Sequence, residues 1–84
     1  MAGGMDKLEK YLLEQGKIAE ADSRLLRHVA YERLQEAITH ANLEPGDPLS
    51  ETRISKILGI SRTPVREALQ QLAQEGLVQI IPGR

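Results

Sequence analysis

The chain of 84 residues contains no cysteine. That excludes a disulfide framework and a thiolate zinc site, and leaves a reducing cytoplasm compatible without demanding it. No apolar run approaches membrane-spanning length and the N-terminus lacks a signal-peptide core, so a soluble, cytoplasmic protein is expected. No glycine-rich phosphate cradle and no nucleophile beside a base can be assembled, which speaks against an enzyme. His28 and His40 are not placed beside each other on a helix and no carboxylate pair frames them, so neither metal nor cofactor is expected. Glu32 and Glu36 lie four residues apart, and two like charges at that spacing read as a solvated face rather than acid/base machinery. Internal repeats, low-complexity tracts and long linkers are also missing, which leaves one small domain with a modest core.

What is present is concentrated in residues 59–78, GISRTPVREALQQLAQEGLV. The spacing predicts a helix from Thr63 to Glu75, in which Val65, Ala68, Leu69 and Leu72 form one apolar stripe. At about 100° per residue, Thr63, Arg66 and Gln70 share the polar side, with Arg62 beside them at the helix start. Ser61 or Thr63 suits the N-cap, Pro64 the first turn, and Gly76 the left-handed residue that ends a helix. Leu77 to Ile81 then reads as a strand. Upstream, Ser50 caps a helix opening with Glu51, whose inward stripe is Ile54, Ile57 and Leu58. Gly59 stops it and Ile60 plugs the turn. Two short helices joined by a short glycine-containing turn make a helix-turn-helix unit, in which the second helix enters the major groove of DNA.

Nearer the N-terminus, residues 1–4 read as a flexible start. Met5 to Gln15 shows a weak helical stripe of Leu8, Tyr11, Leu12 and Gln15 ended by Gly16, which reads plainly as a frayed arm or accessory helix and more sharply as an added helix that contacts a second subunit or touches DNA. A longer helix starts after Asp22 or Ser23 and runs to about Ala41, with Ala30, Leu34, Ala37, Ile38 and Ala41 inward. Pro45, Gly46 and Pro48 then form a compact turn that leads Leu49 into a short strand. The formal net charge is −1, low for a DNA binder, but it is unevenly spread. From Leu49 onward Arg53, Lys56, Arg62, Arg66 and Arg84 outnumber the acids, which dominate the first part of the chain.

The stretch LSETRISKILGISRTPVREALQQLAQEGLVQIIPGR resembles the winged helix of GntR-type bacterial transcription regulators, especially the branch of FadR and its relatives. NLEPGDPLS before it looks like that family's first helix end and PG turn. The resemblance spans roughly residues 25–84, and SRTPVREAL after a glycine turn is a specific signature. It implies a mainly α fold with a small β-wing: a three-helix core plus short antiparallel strands over residues 23–84, with the helix-turn-helix at about 51–70. Residues 1–22 are then an arm or an accessory helix. The chain stops at Gly83 and Arg84, where a winged helix would turn its hairpin, so it is expected to be a DNA-binding fragment. In the family, a larger helical domain follows that binds a small acid or related effector and supplies dimer contacts. The implied function is reading a palindromic operator in double-stranded DNA as a homodimer at the bacterial nucleoid, as a ligand-responsive repressor.

The residues expected to meet DNA follow from their places in the unit. Arg62 and Arg66 suit bidentate contact with guanine or a phosphate clamp, and the matching family positions touch operator DNA. The plainer alternative for Arg66 is a surface pair with Glu67 or Gln70. Ser61 and Thr63 serve as caps or phosphate donors, and Gln70 extends the polar edge. Pro64 stands where some relatives have a hydroxyl residue. Arg53 reads either as a phosphate anchor or as a solvated arginine, because relatives place their contacting arginine where this chain has Thr52. Gly83 and Arg84 match the wing residues that approach a narrow minor groove. A rival use of the fold is protein contact through the same helix. The arginines, and the absence of an aromatic patch there, favour DNA.

Overall fold

The computed structural model describes residues 4–43, 47 and 49–78. Four helices follow one another: α1 Gly4–Gln15, α2 Ser23–His40, α3 Glu51–Leu58 and α4 Arg62–Gln74. Among the described residues there is no strand. Leu49 lies in irregular chain and Leu77 in the turn after α4. A strand exists only with a ladder partner, and most of the strand expected from Leu77 to Ile81 lies outside the described residues, as do Gly83 and Arg84 at the expected hairpin turn of the wing. The same holds for the turn at Pro45, Gly46 and Pro48.

Local chemistry sets the helix ends. Asp22 caps α2 by accepting from the Leu25 amide at 2.9 Å, and Ser50 caps α3 by accepting from the Arg53 amide at 3.2 Å. Both satisfy one of the free amides of a first helical turn. At the other end of α2, Asn42 adopts φ 55°, and the Leu43 amide donates to the Ile38 carbonyl at 3.1 Å. The end of α4 repeats this pattern: Gly76 and Leu77 donate to Ala73 and Leu72, each at 3.0 Å. These paired bonds satisfy carbonyls that the helix itself leaves open.

The core joins all four helices. Leu8 and Leu12 from α1, Ala30, Leu34 and Ala37 from α2, Ile54 and Leu58 from α3, and Val65, Ala68 and Leu72 from α4 are fully buried. Val78 closes one end of the cluster. The most extensive contact is α2 on α4, while α1 packs against both α2 and α3. Of the residues expected in inward stripes, Gln15 is exposed, and Tyr11 and Ile57 are half-buried. Gln15 ends its helix with a side chain that keeps its amide in water.

The segment between α1 and α2 is tied to the helix-turn-helix. The Ile18 amide donates to the Leu58 carbonyl at 2.8 Å, and the Arg33 guanidinium donates to the Gly16 carbonyl at 2.8 Å. The first bond uses a carbonyl in the last turn of α3, one of those without an intrahelical partner.

Candidate nucleic-acid interface

Between α3 and α4 the chain turns through Gly59, Ile60 and Ser61. Gly59 has φ +73°, and its amide and that of Ile60 both donate to the Ser55 carbonyl, at 2.9 and 3.1 Å. An L side chain at that φ is strained, so glycine sets the angle at which α4 leaves α3. Ile60 is half-buried against the core, which holds the turn down.

Ser61 is the N-cap of α4, with an extended backbone, but its hydroxyl makes no capping bond. Three residues on stands Pro64, which has no amide to offer, so the donor most often met by an N-cap side chain is absent. Thr63, the alternative cap, lies inside the helix.

On α4, Pro64, Val65, Ala68, Leu69 and Leu72 are buried, whereas Arg62, Thr63, Arg66 and Gln70 are all exposed. The polar arc therefore runs along one edge of the helix, as its spacing predicts. Arg62 has no hydrogen-bond or ion-pair partner recorded among the described residues. Arg66 forms a two-pronged pair with Glu51 at the start of α3: Nε to Oε2 at 3.1 Å and NH2 to Oε1 at 3.2 Å. The hydrogen bond and the charge of Glu51 raise the arginine pKa further above its ordinary range, so Arg66 stays charged. The sequence offered Glu67 and Gln70 as partners because they are neighbours along α4. The actual partner comes from the adjoining helix, fifteen residues earlier.

Arg53 faces α1. Its guanidinium lies 3.6 Å from Asp6 and in contact with Glu9. Nothing in a helical stripe predicts this arrangement; it requires knowing that α1 packs on α3. Lys56 is exposed on the last turn of α3. Among the described residues, no group of three histidine or carboxylate side chains is arranged to hold a metal ion, and no helix is long and apolar enough to cross a membrane.

Residues 26–84 match the family described as bacterial regulatory proteins, gntR family. Over 65 residues the chain is 45% identical to an uncharacterized HTH-type transcriptional regulator in an unstable DNA locus of Streptomyces ambofaciens, covering 77% of this chain and 28% of that protein. It is 48% identical over 54 residues to the HTH-type transcriptional repressor RspR of Escherichia coli, covering 64% and 24%. It is also similar to the HTH-type transcriptional regulator Mce2R of Mycobacterium tuberculosis, at 39% over 54 residues, covering 63% and 22%. The chain thus spans about a quarter of the length of these relatives. No solved structure gives a significant match. The family match takes in α3, the Gly59 turn and α4 together, and the chain belongs to the GntR family of bacterial regulatory proteins, with the helix-turn-helix of a transcription regulator.

Proposed function

We propose that the domain reads a palindromic operator in double-stranded DNA, with α4 in the major groove, as half of a homodimer. The observation that carries this reading is the exposed edge of Arg62, Thr63, Arg66 and Gln70 on a helix whose opposite side is locked into the core. A helix held in this way presents its polar edge at a fixed angle, as base readout requires. Arg66 reads bases once it shares or leaves Glu51, and Arg62 needs no such exchange. Ser61 has a hydroxyl free for phosphate. Arg53 would anchor phosphate only by exchanging the carboxylates of α1 for DNA. Gly83 and Arg84 would meet the minor groove from a β-wing formed with Leu49.

Dimerisation follows from size, since a single module buries only about 600–1,000 Å² on DNA and two half-sites multiply specificity. We assign the parent regulator to the FadR-like branch, acting in the cytoplasm as a ligand-responsive repressor whose effector domain binds a small acid. The repressor name of RspR supports the repressor reading, and the greater length of the relatives supports a further domain.

A gel shift against pooled random duplex at rising salt tests the core of the reading. Binding is expected to weaken with a log–log slope of about 0.9 per neutralised phosphate. No retained duplex at low salt would overturn it. Selection from the same pool then yields the operator sequence.

A further inference from the structure

The seven residues between α1 and α2 lie outside the family match, yet they reach the turn of the helix-turn-helix. The anchor is double: the Gly16 carbonyl is held by Arg33 and the Ile18 amide by the Leu58 carbonyl. Lys17 stands between these two bonds. A Cβ placed on Gly59 would lie 3.0 Å from Lys17 Cδ, 3.2 Å from its Cγ and 3.3 Å from its Cβ. The aliphatic stem of Lys17 therefore runs over the turn glycine, and its ammonium is two bonds beyond an atom that touches it. Lys17 is exposed, with no hydrogen-bond or ion-pair partner recorded among the described residues.

Long basic side chains lay an apolar stem on protein and keep the charge in water. Here the stem lies against Gly59, where the turn leading to Ser61 and Arg62 begins, and the charge is carried two bonds beyond that contact. Such a charge suits a phosphate, because phosphate contacts position a protein on the duplex without reading sequence.

We infer that Lys17 is a DNA-phosphate contact supplied to the helix-turn-helix by the α1–α2 connection. Resting on the DNA-reading function proposed above, this extends the interface to a residue before the family match. The absence of a side chain at Gly59 then serves two purposes: it permits the left-handed turn and leaves room for the lysine stem.

Lys17→Met keeps an unbranched stem over Gly59 and removes only the charge. Measured against pooled random duplex across a salt series, it is expected to lower the log–log slope by about 0.9, equivalent to about eightfold weaker binding at 0.1 M salt when referred to 1 M. Lys17→Arg should keep the wild-type slope. The loss should be equal on random duplex and on a selected operator. An unchanged slope in Lys17→Met, or an arginine variant that behaves like the methionine one, would overturn the inference while leaving DNA binding intact. Wild-type protein that retains no duplex at low salt would instead overturn the function on which the inference rests.

Discussion

Helices α1 and α4 are built alike and present different surfaces. They have 12 and 13 residues, and Leu8 and Leu12 on one are as fully buried as Val65 and Leu72 on the other. Each is followed by a left-handed glycine, Gly16 or Gly76. The outer sides diverge. Along α1, Asp6 and Glu9 turn to Arg53 on the neighbouring helix, so part of its charge is spent inside the protein. The polar edge of α4 carries Arg62, Thr63, Arg66 and Gln70, and among the described residues only Arg66 of these enters an ion pair. Burial alone therefore does not separate a scaffold helix from a reader. Under the proposed DNA reading the exposed arc does, because an interface needs groups that remain available after the protein has folded.

The strongest way to break the comparison is to attack its common half. Leu12→Ala and Leu72→Ala each remove a fully buried side chain, and each should cost about 2–5 kcal/mol in denaturant unfolding. Equal losses would mean that α1 is integral to the domain. A near-neutral Leu12→Ala beside a damaging Leu72→Ala would mean that α1 only leans on a core that stands without it.

Much of α4 is legible in the chain because its information is local. The apolar stripe, the exposed arginines and the terminal glycine all follow from spacing within one helix. The spacing of Ile54 and Leu58 places α3 equally well. What escapes is whatever depends on two elements meeting. The pairing of Arg66 with Glu51 crosses from α4 to α3, and that of Arg53 with Asp6 and Glu9 crosses from α3 to α1. The seat of Lys17 on Gly59 depends on a connection with no periodicity at all. The α1 stripe is visible but short, and two leucines with one tyrosine do not reveal whether a terminal helix finds a partner surface.

The outer half of the comparison is sharpened by truncating its arginines. Arg66→Ala should lose about 1–3 kcal/mol of discrimination between a selected operator and random duplex. Binding titrations on both duplexes measure this, and equal loss on the two would reduce Arg66 to a phosphate contact. Arg53→Ala should show that equal loss, since phosphate carries no sequence information. An effect of Arg53→Ala on operator binding alone would place base readout on α3 as well.

Smaller still is the joint between the two halves. Gly59→Ala puts a Cβ at φ +73°, where an L residue costs about 1–2 kcal/mol, and crowds the Lys17 stem at 3.0–3.3 Å. A fall in unfolding midpoint is expected, together with weaker DNA binding at temperatures where the variant is still folded. A stability loss with unchanged affinity would show that the turn angle tolerates error.

The smallest effect concerns the tie that holds α4 to α2. The Tyr31 hydroxyl donates to Glu75 Oε1 at 2.6 Å, just beyond the end of α4. That hydrogen bond, followed by desolvation and the carboxylate charge, raises the phenol pKa above its ordinary value of 10.0. A raised pKa means that the folded state holds the proton more tightly than the unfolded state does. The stabilisation is therefore complete below about pH 10 and is lost as pH climbs through the folded value. Tyr31→Phe should remove this alkaline decline and leave a small, pH-independent deficit at neutral pH, both read from unfolding midpoints between neutral and strongly alkaline buffer. Neither Tyr31 nor Glu75 takes part in the Arg53 contacts with Asp6 and Glu9, so the variant should leave those untouched. If Tyr31→Phe retained the same alkaline decline as the wild type, the titrating group would lie elsewhere and the tie would be a surface contact without thermodynamic weight.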